Sequence, residues 1–166
     1  PGDSVLLDGD AEGALTPSRI PGGDTLWLLA TGSGLSPFAS IVRSSAVWDA
    51  WKDIVLVESV RKIEEAALAR ELVLSLPADR RPKLIVTTTR EEDPARQGDL
   101  TGRIPELLKS GELEKAAGRE ITPEKSRLML CGNPNFIADA RATLKARGIV
   151  SPRFGKPGQL VVENFW

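Results

Sequence analysis

Histidine and tyrosine are absent from the 166 residues of this chain, and cysteine and methionine occur once each, as Cys131 and Met129. Without histidine, Ser-His-Asp and Cys-His nucleophiles and any histidine-ligated metal site are excluded, and no metal site is expected. One cysteine cannot close an intramolecular disulfide, and a plant-type iron–sulfur cluster needs four thiolates. No apolar run reaches transmembrane length and the start carries no signal-peptide pattern, so the expected location is the cytoplasm. An excess of one charge is also missing. With 22 Lys and Arg against 23 Asp and Glu the net charge is -1, which leaves no global basic field to recruit nucleic acid or an anionic membrane. Any phosphate recognition must come from locally placed arginines.

What is present is the balance of one globular domain: 41% hydrophobic and 27% charged residues. Residues 1–23 read as a short hairpin followed by a Pro/Gly linker, with too little apolar surface to fold alone. Because Pro1-Gly2-Asp3 runs almost at once into Val5-Leu6-Leu7, the chain is expected to open at a turn within something larger. From residue 24 to 166, short β-rich runs alternate with helical ones. Strands are expected at 25–30, 54–57, 84–88, 128–131 and 160–162, and helices near 37–43, 63–76, 104–113 and 134–147. The first four strands are nearly continuous apolar runs, as strands covered on both faces should be. In the last helix Phe136, Ile137, Ala140 and Leu144 share one face. Strict alternation of this kind predicts an α/β fold, a five-stranded parallel Rossmann-like sheet with helices on both faces.

Two places in that pattern suit an anionic ligand. After the first strand, Thr31-Gly32-Ser33-Gly34-Leu35-Ser36-Pro37 opens a helix; the glycines allow a tight turn, Ser36 suits an N-cap and Pro37 a first helical position. Proline stands where the third glycine of the full dinucleotide fingerprint would be. After the fourth strand, Cys131-Gly132-Asn133-Pro134-Asn135-Phe136 repeats the design, with Asn133 as N-cap. In a doubly wound sheet these two strands lie side by side where chain order reverses, so two helix N-termini would face one crevice and a pyrophosphate. Arg61, Arg90 and Arg103 follow strand ends or sit in the loop beyond, where guanidinium groups would clamp the extra 2′-phosphate of NADP. Glu58 is the opposing cue: read as the end of the second strand, 24 positions after Gly34, it suits the free 2′-hydroxyl of NAD. Phe165 and Trp166 end the chain; they either plug the core or lie near the crevice, where a flat cofactor would stack on them.

With these residues in view, the sequence resembles the bacterial ferredoxin/flavodoxin–NADP reductase family. The resemblance rests on residues 26–34 (LWLLATGSG), 100–114 (LTGRIPELLKSGELE), 129–134 (MLCGNP) and the closing ENFW. It implies a two-domain flavoprotein, in which an antiparallel FAD-binding barrel precedes an NADP-binding domain and residues 1–23 are the barrel's tail and a linker. NADPH would pass a hydride to FAD, and FAD would pass electrons to ferredoxin or flavodoxin. By resemblance, Arg61, Arg90 and Arg103 form the 2′-phosphate clamp with Val60 and Thr89 as neighbours. Gly132, Asn133, Pro134, Asn135 and Phe136 form a nucleotide loop, and Thr31 touches flavin and nicotinamide. Cys131, from its place at the end of the fourth strand, either borders a reactive ring or is a small buried residue, and by resemblance Glu163 would be the carboxylate near the flavin. Phe165 would lie over the isoalloxazine and Trp166 against the adenine end of FAD. The Arg-x-Tyr-Ser segment that grips FAD in the family is absent, Glu58 stands where histidine is usual, and Leu68 stands where tyrosine is. Two other readings remain open: an isolated, non-catalytic NADP(H)-binding module, and a reductase domain serving an oxygenase or a haem protein.

Overall fold

A computed structural model of the chain describes Ser4 and residues 13–164. The expected hairpin falls mostly on residues outside this set, as do Phe165 and Trp166. The four apolar runs become the centre of one parallel sheet: β1 (Thr25–Thr31), β2 (Asp53–Val60), β3 (Lys83–Thr88) and β5 (Ser126–Gly132). β6 (Leu160–Asn164) pairs with β5, and a two-residue β4 (Leu100–Thr101) pairs with β3, giving the order β4-β3-β2-β1-β5-β6. The sixth strand, β4, was not expected, because two residues carry no readable periodicity.

Alternate residues of each strand face opposite layers. Trp27, Leu29, Val55, Val57, Leu128 and Leu130 pack against α4 (Ile104–Ser110), α5 (Glu112–Ala117) and α6 (Pro134–Ala146). Leu26, Leu28, Ile54, Leu56, Met129 and Cys131 pack against α1 (Leu35–Arg43), α2 (Ser45–Ala50) and α3 (Ala67–Ser75). Helices therefore cover both faces, and Phe136, Ile137, Ala140 and Leu144 of α6 are all buried as their spacing predicts. Among the described residues no helix is long and apolar enough to cross a membrane.

Three helix expectations are corrected. The run 104–113 is two helices, because Gly111 adopts φ +79° and ends α4. The run 63–76 begins as a 3-10 turn at Ile63–Ala66 before α3. Helix α1 starts at Leu35, after a 3-10 turn over Gly32–Gly34, so Ser36 and Pro37 lie inside its first turn instead of capping it. The short helix α2 was not foreseen; six residues are below the length at which helical periodicity separates from noise.

Candidate functional site

Chain order reverses between β1 and β5, the position where parallel sheets open a ligand crevice beyond their carboxyl ends. The two turns that leave these strands are packed against each other by missing side chains. A Cβ on Gly34 would overlap the backbone of Cys131, and one on Gly132, at φ +137°, would overlap Thr31. The Asn133 N–H then donates to Thr31 Oγ1 at 3.0 Å, tying the turns together. Asn133 caps α6 as predicted, its Oδ1 accepting from the Asn135 N–H at 2.8 Å, with Pro134 in the first turn. The N-termini of α1 and α6 thus lie side by side.

Thr31, Gly32, Val60, Arg61, Thr89, Arg103, Asn133, Asn135 and Phe136, all singled out from sequence, line one cleft of about 560 Å³. Backbone bonds explain how distant loops meet there. The Thr89 N–H donates to the Val60 carbonyl and the Arg90 N–H to the Arg61 carbonyl, each at 3.0 Å, and the Gly102 N–H donates to the Thr88 carbonyl at 2.9 Å. The short β4 is what delivers Arg103 to the cleft. Arg90 sits beside Arg61 along the backbone, but its side chain is exposed and does not line the cleft. Ser59, Glu65, Ile104, Pro105 and Asp139 also line it and were not singled out. Ser59 was readable, since it faces the layer opposite Glu58 by strand alternation. So was Glu65, an acidic residue four positions after Arg61.

The structure separates Glu58 from the arginines. β2 continues two residues past it to Val60, so Glu58 is not at the strand end. It is buried between α1 and α3 in a neighbouring cleft of about 470 Å³ that Ser33, Arg43, Leu68 and Glu71 also line. Among the described residues its Oε2 has no hydrogen-bond partner. Burial, and after it the charge of Glu65, pushes the carboxyl from 4.5 up to about 7. Between those values the folded chain keeps a proton that the unfolded chain has lost, so stability falls as pH rises from about 4.5 through 7. Glu58→Gln removes that penalty. Urea melts are expected to show the variant roughly 1–2 kcal/mol more stable than the parent at pH 8 and no more than a few tenths at pH 5.

Cys131 is fully buried, and burial, then Glu163, pushes its thiol up to about 11; its backbone presses against Gly34 in the turn before α1, and it does not line the cleft. Glu163, paired in register with Cys131 on β6, accepts from the Ala14 N–H at 2.6 Å, which anchors the segment before β1 to the last strand.

Residues 28–142 match the model of the oxidoreductase NAD-binding domain family. The chain is 37% identical to ferredoxin–NADP reductase A of Sorangium cellulosum over 98% of its own length and 60% of that protein's. To the flavodoxin/ferredoxin–NADP reductase of Escherichia coli K12 it is 35% identical over 100% of its length and 66% of that protein's. A crystal structure of a ferredoxin NADP⁺ reductase from Neisseria gonorrhoeae with bound FAD and NADP superposes with a TM-score of 0.88 at 37% identity, covering 99% of this chain and 65% of that one. The chain therefore spans somewhat under two thirds of the length of these relatives.

Proposed function

We propose, from the premise that this chain belongs to the oxidoreductase NAD-binding domain family, that it is the NADP(H)-holding part of a ferredoxin or flavodoxin–NADP reductase. One observation carries the reading: the N-terminus of α6, the Gly32 turn that leads into α1, and two arginines, Arg61 and Arg103, converge on a single cleft at the point where strand order reverses, while Leu35 and Ser36 of α1 line the neighbouring cleft. The residues fit a phosphorylated dinucleotide. The α6 N-terminus and the Gly32 turn suit the pyrophosphate, Arg61 and Arg103 suit the 2′-phosphate, and Thr89 and Val60 shape the wall between them. Residue 24 onward serves as the nucleotide domain and the preceding segment as its connection to an FAD-binding barrel.

When bound, the reduced nicotinamide supplies a hydride that a flavin accepts. The chain's contribution is position. Thr31, held by the Asn133 amide, fixes the edge of the crevice, and Gly32 leaves the backbone open to close approach. Glu163 presents its carboxylate beside Cys131 at the end of β6. Phe165 and Trp166, which follow, are assigned to the flavin by resemblance alone. Ferredoxin or flavodoxin is the proposed electron partner and the cytoplasm the proposed location.

Titration with NADPH and NADH, with and without an added FAD barrel, tests the reading. NADPH is expected to bind the chain alone at least tenfold more tightly than NADH, with hydride transfer only when the barrel is present; equal affinities would reject it. Because flavin affinity should reside mainly in the barrel, the purified chain is expected to be colourless after gel filtration, and a retained flavin absorption band would contradict the division of labour.

A further inference from the structure

The Arg61 side chain already has a partner: its Nε lies 3.6 Å from Glu65 Oε1, while the Arg61 backbone N–H donates to Glu65 Oε2 at 3.2 Å. Glu65 lines both clefts, the one that holds Arg61 and the one that holds Glu58. A phosphate drawn to the Arg61 guanidinium therefore competes with the Glu65 charge for it. Once that cation is withdrawn, the Glu65 charge is left facing the buried Glu58 carboxyl, whose Oε2 has no partner among the described residues.

We propose that Glu65 tunes the nucleotide preference of this chain by competing with the 2′-phosphate for Arg61, and that its release toward Glu58 makes binding of the phosphorylated nucleotide take up a proton. The proposal rests on the reading of Arg61 as a 2′-phosphate ligand and goes beyond it. Around Glu58 the other charged groups are Arg43 from α1 and Glu65 and Glu71 from the segment after β2; the remaining lining is apolar or serine, with Gly32. Among the described residues lining that cleft Arg43 alone is a cation, and it comes from α1 on the side opposite α3. Burial and the Glu65 charge already hold Glu58 near 7, so a further rise in local negative charge shifts it toward the protonated form.

Glu65→Gln separates charge from scaffold, because the amide keeps an oxygen for the Arg61 N–H and loses only the negative charge. The variant is expected to bind NADP⁺ about three- to fivefold more tightly, the scale of a part-exposed ion pair, and NAD⁺ within about twofold of the parent. Calorimetry of NADP⁺ binding at pH 8, in buffers of different ionisation enthalpy, reads the proton. At that pH the 2′-phosphate has already lost its second proton, and uptake of a few tenths of a proton is expected from the parent. Glu65→Gln and Glu58→Gln should each abolish it, and NAD⁺ should show none. If Glu65→Gln leaves NADP⁺ affinity unchanged or lowers it, shifts both nucleotides alike, or only lowers the melting temperature, the competition is overturned. Absence of proton uptake in the parent overturns the coupling. Arg61→Ala marks the boundary with the underlying reading. If it weakens NADP⁺ and NAD⁺ equally, both readings fail; if it is selective while Glu65→Gln is silent, only this inference fails.

Discussion

Replacing Arg61 and Arg103 together by alanine should raise the NADP⁺ dissociation constant by a hundredfold or more and leave that of NAD⁺ within about threefold. A charge-assisted hydrogen bond contributes about 1.5–3 kcal/mol, and 1.4 kcal/mol is a factor of ten, so losing two such bonds costs about 3 kcal/mol or more. The two side chains reach one cleft from different loops, Arg61 from the end of β2 and Arg103 from the end of β4, so the double variant removes both arms of the grip. Each single variant will show less than half the combined loss if the surviving arginine moves to cover the phosphate. Arg90→Ala is expected to cost less than either, because its side chain is exposed and lies outside the cleft. Calorimetric titration of the parent and the four variants with both nucleotides checks the order. A double variant that discriminates between NADP⁺ and NAD⁺ as well as the parent does would remove these arginines from the phosphate site.

The second large effect concerns the scaffold at the opposite end of the strands from the cleft, where the loop before β5 meets the end of α6. Glu114 of α5 accepts from Arg147 Nη1 and Nη2, both at 2.7 Å, and its Oε1 also accepts from the Ile121 N–H at 2.7 Å; Arg147 Nη2 donates in turn to the Ile121 carbonyl at 2.8 Å. The pair is mostly buried, with side-chain exposures of 15% and 30%. It links α5, the loop before β5 and the end of α6. Glu114→Ala strands a guanidinium and an amide, and the expected loss is about 2–4 kcal/mol, which in a chain of this size lowers Tm by roughly 5–12 °C. Burial alone would raise the Glu114 carboxyl, but the Arg147 hydrogen bonds and the Ile121 amide outweigh it and hold it below the ordinary carboxylate value. The contribution is therefore fully present above the unfolded-state value and is lost as pH falls through the lowered folded one. Thermal melts between pH 7 and pH 3 should show parent and variant converging at the acid end. A Tm difference that persists undiminished at pH 3 would mean that the loss is one of packing and not of charge.

The arrangement of the site shows where reading the chain succeeds and where it stops. Asn133-Pro134 was legible as a helix start because a capping side chain and proline act within a few residues of each other. Ser36-Pro37 carries the same local signal and was misread, because the Gly32–Gly34 turn begins the helical path earlier and Gly34 must press against Cys131. That constraint comes from a strand roughly a hundred residues away. Glu58 was misread for a similar reason: an apolar run followed by an acidic residue looks like a strand end, but pairing with Ala30 and Val86 carries β2 on to Val60.

The sequence by itself determined the layers of this protein. Continuous apolar runs alternating with amphipathic helices leave a parallel sheet covered on both faces as the arrangement that buries them all, and the absence of histidine removes whole classes of chemistry. Tertiary structure alone decided which charges meet. It brought Arg103 to Arg61 through a two-residue strand, left Arg90 outside, set Glu65 against Arg61, and enclosed Glu58 in a separate cleft. The reason is range. Hydrophobic pattern and capping act over a few residues and can be read along the chain, whereas an ion pair or a shifted carboxyl depends on charges within a few ångströms in space, which register and loop packing fix only once the sheet has formed.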